Sequence, residues 1–471
     1  MPVVLNRVER QSYRDSVTLM RISRALGARP GVEAAALMIG TPSNKSLMRD
    51  AGLLSAQAQD AGPNDLIIAV RAAEAGAAAA AVEAAIGLLA QGGETAEAAA
   101  GLRARTLEGA LELLPQANLA LVSVPGEFAA REARMALARG LNVLIFSDNV
   151  PLEEELALKK TARAKGLLVM GPDCGTALIG GTPVAFANVV PRGDIGIVSA
   201  SGTGLQEVSC LLARLGRGVS HGIGVGGRDL DARIGALGTL SAIEALEADP
   251  ATAQIVLISK PPAPEVAAQV LERVGRSRKP FVLCLLGLEK AELPRNARLA
   301  RTLTAAAELA AGRTLESAPA QAPRSRGWVR GLYCGGTLCA EAEMIFRGKG
   351  LKVAPGANSF VDLGDDEYTR GRPHPMIEPE LRNDHVRDAL ADRSIGTLLV
   401  DLVLGYGAHA DPAGVLLRND LSAKTVIASV TGTEGDPQRY SRQVAALREA
   451  GVIVAASNAH AANVASQCSP S

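Results

Sequence analysis

The chain has 471 residues, with 49 basic and 49 acidic side chains, so its net charge is zero. No field exists to draw DNA or an anionic membrane, and the basic runs are short, which argues against nucleic-acid binding. The length suits about three domains at roughly 150 residues each. A composition 48% hydrophobic but only 3% aromatic suits Ala-, Gly-, Val- and Leu-rich helices packed closely on parallel sheets.

The six cysteines (174, 210, 284, 334, 339, 468) are scattered, without the spacing of a metal site. The start, Met-Pro-Val-Val-Leu-Asn-Arg, has no signal-peptide core, and no run reaches the roughly 18 apolar residues of a membrane span. The expected compartment is therefore the cytoplasm, with reduced thiols.

Along the chain, residues 1–115 alternate strands and helices: a strand at Val3–Val8, a helix at Asp15–Leu26, and a strand at Val32–Gly40. A helix from Ser43, a strand at Leu66–Val70 and an Ala-rich helix follow. From Asn118 the rhythm is cleaner. Apolar strands at Leu119–Val124, Asn142–Ser147 and Leu167–Met170 alternate with helices, the pattern of a parallel sheet with right-handed crossovers. This stretch, 116–190, is expected as a Rossmann-like domain of the CoA-binding type. A first flavodoxin-like module is expected over 191–315, with strands Ile195–Ser199, Gly222–Val225, Ile255–Ser259 and Phe281–Leu286. The Ser/Ala/Pro/Arg-rich stretch 316–326 reads as a linker. A second module is expected over 327–471, with strands Gly331–Cys334, Phe360–Leu363, Thr397–Leu404, Thr425–Val430 and Val452–Ala455.

Two stretches share one plan. Ile195 to Glu207 runs from an apolar strand through Ser199, Ser201, Gly202 and Thr203 into a helix. Val329 to Glu341 does the same through Gly335, Gly336 and Thr337. A strand that ends in small residues and opens a helix leaves unpaired N–H groups pointing outward, which suits phosphate. The recurrence suggests a duplicated module handling a phosphorylated or acyl-phosphate ligand.

Three further stretches carry polar groups at strand ends. In Gly171-Pro-Asp-Cys-Gly-Thr, the residues Asp173, Cys174, Gly175 and Thr176 would let a ligand approach the backbone. Cys174 is a nucleophile only if its thiolate is stabilised, and inert packing is the plainer alternative. His221 precedes the Gly226–Gly227 corner, where Arg228 suits a phosphate; a structural histidine is the plainer alternative. Finally, Asp362 to Met376 holds four acids, then Arg370, Arg372 and His374. It reads either as a loop positioning Mg²⁺ and an anion or as a solvated loop. No P-loop is present.

In order, the Gly-Pro-Asp-Cys turn (171–174), the Ser-Gly-Thr strand and turn (195–203) and the Gly-Ile-Gly-Val-Gly-Gly corner (222–227) resemble the α subunit of succinyl-CoA synthetase. The likeness covers about 118–290. The whole chain resembles the FdrA family, relatives of the acyl-CoA synthetase subunits. Gly40-Thr-Pro-Ser-Asn-Lys, Ser147-Asp-Asn-Val, Ser259-Lys-Pro-Pro and Asp362-Leu-Gly-Asp-Asp through Gly371-Arg-Pro-His-Pro-Met carry that likeness.

Succinyl-CoA synthetases place a phosphorylated histidine in a Gly-His-Ala-Gly-Ala loop after the strand matching Phe281–Leu286. Here the stretch reads Gly287-Leu-Glu-Lys-Ala-Glu-Leu-Pro, without histidine, and the half that binds ATP is missing. The FdrA resemblance implies instead a subunit of an oxamate carbamoyltransferase in purine (allantoin) breakdown. Such an enzyme moves a carbamoyl group from carbamoyl phosphate to a small carboxylate amide, and needs phosphate cradles and an oxyanion site. The residues expected to act are Ser201, Gly202 and Thr203 on phosphate, Gly336 and Thr337 on phosphate or acceptor carboxylate, Arg228 or Arg372 on charge, and His374 in proton transfer. Companion subunits and an oligomer are implied. CoA, or Mg²⁺ with the phosphorylated substrate, are the cofactors to test. The alternatives are a subunit of an ADP-forming acid–thiol ligase paired with an ATP-binding partner, and a non-catalytic sensor of CoA or nucleotide.

Overall fold

The computed structural model describes residues 2–12, 14, 16–97, 104, 106–288, 292–316, 327–369 and 374–470. Arg370, Arg372 and nearly all of the expected linker lie outside the described residues. The fold is α/β and divides into two compact units, Met1–Leu113 with Tyr368–Pro373, and Leu114–Glu367 with His374–Ser471.

The first unit contains β1 (Val3–Glu9), α1 (Ser16–Gly27), β2 (Val32–Ile39), α2 (Pro42–Asp50), β3 (Leu66–Ala72), α3 (Ala75–Glu97) and α4 (Leu107–Leu113). Its sheet runs β1-β3-β2, with β3 antiparallel to both neighbours. Successive side chains of a strand point to opposite faces, and β3 uses both. Leu66, Ile68 and Val70 pack with Leu19, Leu26 and Ala78 of α1 and α3. Ile67 and Ala69 pack with Met48 and Leu53 on the other side.

The second unit opens with β4 (Leu119–Val122), α5 (Gly126–Ala138), β5 (Asn142–Ile145), α6 (Leu152–Ala164) and β6 (Val169–Met170), whose strands form a parallel sheet, β4-β5-β6. Next come β7 (Thr176–Ile179), β8 (Thr182–Ala185), β9 (Arg192–Ser199), α7 (Gly202–Arg214), β10 (Val219–Gly224), α8 (Leu237–Ala248), β11 (Gln254–Ser259), α9 (Pro264–Gly275), β12 (Phe281–Leu285), β13 (Ala297–Leu299) and α10 (Leu303–Ala311). These build a seven-stranded sheet in the order β13-β12-β11-β9-β10-β7-β8. Five of its strands are parallel, and the β7–β8 hairpin closes one side antiparallel to β10. That hairpin falls within the stretch expected as Rossmann-like, yet its hydrogen bonds go to the neighbouring sheet.

The last part contains β14 (Trp328–Tyr333), α11 (Gly336–Gly348), β15 (Ser359–Asp362), α12 (Asp366–Thr369), α13 (Leu381–Ala391), β16 (Ile395–Val403), α14 (Pro412–Leu416), β17 (Thr425–Thr431), α15 (Tyr440–Glu449), β18 (Ile453–Ala455) and α16 (Asn458–Cys468). Its sheet is all parallel, β15-β14-β16-β17-β18. The two large sheets share one core. Leu205, Val208 and Leu212 of α7, Ala306 and Ala310 of α10, Leu338 and Phe346 of α11, and Ala461 and Ala465 of α16 lie in a single cluster with strand residues of both sheets. Strands buried on both faces read as continuous apolar runs, as Ile195–Ser199 and Leu398–Val403 do. Among the described residues no helix is long and apolar enough to cross a membrane.

Candidate functional site

The shared core brings the first turns of α7 and α11 together. A Cβ built on Gly335 would lie 3.0 Å from Thr203 Cγ2, so the two glycine turns touch across the layer. Although their sequences follow one plan, their mouths differ in charge.

At the first turn, Ser201 caps α7. Its Oγ accepts from Gly204 N at 2.9 Å, the usual service of a serine N-cap. Ser199 Oγ donates to Ser201 O at 2.7 Å and accepts from Ser201 N at 3.1 Å, which fixes the turn. The N–H groups of Gly202 and Thr203 have no hydrogen-bond partner among the described residues. Thr176, 2% exposed, stands over them, with its Oγ1 3.1 Å from where a Cβ of Gly202 would lie. This mouth is electropositive and open.

The second turn has no capping side chain of its own. Cys334 N and Gly335 N donate at 2.8 and 2.9 Å to the two carboxylate oxygens of Asp401 on β16. Asp401 is fully buried, and Arg382 of α13 is ion-paired to it at 3.2 Å. Burial raises the Asp401 pKa, against the pull of the Arg382 charge. A Cβ on Gly336 would strike the Asp362 carboxylate and sit 3.3 Å from Lys260 Nζ. Two carboxylates thus occupy the place expected for a second phosphate. Asp401 thus takes up the Gly335 N–H, while the N–H groups of Gly336 and Thr337 have no hydrogen-bond partner among the described residues.

Asp362 ends β15 and accepts from Gly364 N at 3.0 Å through Oδ1. Burial raises its pKa, and the charge of Lys260 opposes that rise. Lys260 follows β11, is exposed, and forms no ion pair among the described residues. It was not singled out as a site residue in the sequence, where it appears inside the Ser259-Lys-Pro-Pro motif just beyond a predicted strand. His374 lies beside Asp362, its Nε2 2.5 Å from a Cβ position on Gly364 and Asp362 Oδ1 3.2 Å from the same point. Burial pushes His374 down to about 4. Its Nδ1 accepts from Met376 N at 3.2 Å, so the neutral ring carries its proton on Nε2. In that tautomer His374 presents an Nε2–H beside Asp362. The acids of this loop do not converge on a cation: among the described residues no group of three or more His, Cys, Asp or Glu could hold one.

Other candidates fall elsewhere. His221 sits on β10, its Nδ1 accepting from Gly180 N at 3.0 Å and its Nε2 3.7 Å from Asp249, just after α8. It lines a cavity of about 180 Å³ with Asn142, Met170 and Ile179, far from the strand ends that carry the glycine turns. Arg228 is committed to Val150 O and Glu155, both at 2.8 Å. It belongs to a buried cluster in which Lys159 Nζ bonds Glu155 and Asp229 at 2.7 Å each. Asp229 in turn accepts from Gly238 N and Thr239 N at the head of α8. Charge pairing here stitches α6 to the Gly226–Gly227 corner and engages one nitrogen of the Arg228 guanidinium, whose side chain is 42% exposed. A Cβ on Gly226 would strike Pro172 O, and Asp173 lies 3.8 Å from the equivalent point on Gly227, so the 171–174 turn packs against this corner through Gly171. Cys174 is 3% exposed and donates weakly to Thr176 O and Gly224 O. Burial pushes its thiol up to about 12, so it is packing material and no nucleophile.

Comparison with known proteins places this geometry. Over 96% of this chain and 96% of the other, 40% of residues are identical to "Uncharacterized protein YahF" of Escherichia coli strain K12. The chain belongs to the YahF family. Residues 332–468 match the CoA-ligase family model, and residues 1–104 match "AllF, heavy metal-associated domain". The α subunit of the ADP-forming succinate–CoA ligase of Methanothermobacter thermautotrophicus is 29% identical over 35% of this chain and 57% of its own length. The chain thus spans between half and three fifths of such ligase subunits. A dinucleotide-forming acetyl-coenzyme A synthetase of Ca. Korarchaeum cryptofilum is 15% identical, with a TM-score of 0.31, over 74% of this chain and 82% of that one. Residues 1–113 contain neither cysteine nor histidine, so this segment offers a metal no thiolate and no imidazole.

Proposed function

We propose that this chain carries out acyl transfer from an acyl phosphate, in the form of carbamoyl transfer from carbamoyl phosphate to a small carboxylate amide such as oxamate, within an assembly of companion subunits. The observation that carries this reading is the unlike charge of the two mouths. The α7 mouth offers the N–H groups of Gly202 and Thr203 and the Thr176 hydroxyl, and Lys260, which follows the neighbouring strand β11, reaches over Gly336 of the touching turn, a set suited to a phosphoryl group. The α11 mouth offers the Asp362 carboxylate, which suits a substrate N–H, and the Nε2–H of a neutral His374, which suits a substrate oxygen. Donors fixed before charge develops on the carbonyl oxygen contribute several kcal/mol to such a step. The FdrA-like residues support the same reaction, and a carbamoyl phosphate donor needs no phosphohistidine. None is present between Phe281 and Leu299.

The CoA-ligase match makes CoA the cofactor to weigh. At the carboxyl ends of β4, β5 and β6 the described polar residues include Ser123, Ser147 and Asn149 and the acids Glu127, Asp148, Asp173, Glu153 and Glu154, while Glu155 is buried. The acids outnumber any cation at this edge, and Lys159 and Arg228 pair with Glu155, which disfavours a nucleotide diphosphate here. No step is therefore routed through CoA.

The test is phosphate release from carbamoyl phosphate by the full assembly, with and without oxamate. Acceptor-dependent release is expected, and is lost in Gly202→Pro. Proline is tolerated at the first helical position and removes one N–H. Thioester formation dependent on CoA and ATP, with no such release, would return the chain to the acid–thiol ligases.

A further inference from the structure

Lys260 and Asp362 approach Gly336 from two sheets. β11 pairs with β9 (Ile258 beside Ser199), which sets Lys260 at the level of the α7 turn. Thr176 reaches the same turn from β7, two strands over on the opposite side. An anion on the Gly202 and Thr203 N–H groups therefore meets the Thr176 hydroxyl, while the Lys260 ammonium reaches over Gly336 of the touching turn. Neither group is spent: Thr176, 2% exposed, and Lys260 have no side-chain hydrogen-bond partner among the described residues. Asp362 and Lys260 are near enough for one to act on the charge of the other, yet they form no ion pair. The gap between them lies over a glycine that has no side chain to fill it.

We propose that Lys260 is the cation for the phosphoryl leaving group and Asp362 the proton acceptor for a nitrogen nucleophile, the two facing each other across Gly336. This rests on the carbamoyl-transfer reading. In the step it describes, the amide nitrogen of the acceptor forms a bond to the carbamoyl carbon. The bond from that carbon to the bridging oxygen breaks, and its electron pair leaves with phosphate. One N–H proton passes to the Asp362 carboxylate and then to the departing phosphate, which leaves as hydrogen phosphate. Asp362 ends the cycle ionised, and nothing is oxidised or reduced. A carboxylate at this spot also decides specificity. It accepts from N–H and repels an acceptor carboxylate, so the acceptor enters amide first, with its carboxylate turned away from α11.

The experiment uses the full assembly and two conservative variants, with folding checked by circular dichroism. Asp362→Asn is expected to lower kcat by about 100-fold or more, the range of general-base catalysis. Its KM for carbamoyl phosphate should hold within about 3-fold, and the acid limb of the wild-type pH profile should vanish. Lys260→Met is expected to raise that KM by about 10-fold or more, in line with loss of a charge-assisted contact. It should also abolish the rise in melting temperature that inorganic phosphate gives the wild type. A kcat for Asp362→Asn within about 3-fold of wild type, or an unchanged phosphate-induced shift in Lys260→Met, overturns the assignment. If the wild-type assembly shows no acceptor-dependent release, the carbamoyl reading falls and the role of Asp362 with it. The phosphate titration still decides Lys260.

Discussion

Glu207 and Glu341, each four residues after the threonine of its glycine turn, meet on one residue. Asn458 donates its backbone N–H to Glu207 at 3.1 Å and its side-chain amide to Glu341 at 2.7 Å. Thr431 Oγ1 donates to the other oxygen of Glu207, and Leu303 N to that of Glu341 at 2.6 Å. Neither carboxyl has a cation in direct contact among the described residues, and both are buried.

Burial therefore raises the pKa of both, that of Glu341 from 4.5 to about 7. A carboxyl raised in the folded state lends stability that is whole below its unfolded value and is lost as pH climbs through the folded one. For Glu341 that window runs from about 4.5 to about 7, and the stability at stake is roughly 3 kcal/mol. Urea denaturation at pH 5, 6, 7 and 8 should show the wild type losing ground to Glu341→Gln as pH rises. Parallel pH dependences would refute this.

Asp401→Asn should destabilise the chain by about 3–5 kcal/mol, because it leaves the buried Arg382 without a counter-charge. The second change Arg382→Met should recover part of that loss. Denaturation midpoints of the single and double variants measure both; additive losses would show that the pair is not coupled.

Two glycines of α11 should respond in opposite directions. Gly336→Ala drives a Cβ into Asp362 and should cut acceptor-dependent phosphate release by at least about 10-fold, at a stability cost of about 1–3 kcal/mol. Gly348→Ala, at the far end of the helix, meets nothing within 4 Å. It should stabilise by about 0.5–1 kcal/mol, with activity unchanged. Melting curves and the release assay on both variants separate the two effects.

All six cysteines are free and buried, and burial pushes Cys174 to about 12. The native chain at pH 8 should therefore resist a thiol reagent such as DTNB until it is denatured. Cys174→Ala should keep its phosphate release. Rapid native labelling of Cys174, with matching loss of activity, would contradict its packing role.

Much of the fold was legible because buried parallel strands announce themselves as apolar runs. Thr425–Val430 was expected and Thr425–Thr431 is observed; Leu119–Val124 shortens to Leu119–Val122. Pairing direction was not legible. Alternating strands and helices in the first 113 residues read alike whether the strands run parallel or antiparallel. The hairpin Thr176–Ala185 is too short and too rich in Gly and Pro to signal a strand by period. In the site, Ser201 and Gly202 were legible because a cap is local. The charge at the second turn was not legible because it is set by Asp362 and Asp401, which arrive from other strands. Arg228 looked free because Glu155, which holds it, lies 73 positions earlier. His374 looked titratable because sequence spacing says nothing of burial.

The β7–β8 hairpin also limits where the chain can be cut. It covers the side of β10 that would otherwise lie bare, and unpaired strand edges invite association with other chains. A fragment beginning at residue 191 would inherit that bare edge and should self-associate. A cut near residue 114 leaves every strand of the large sheet with its neighbour, so a shorter, well-behaved version of this protein begins there.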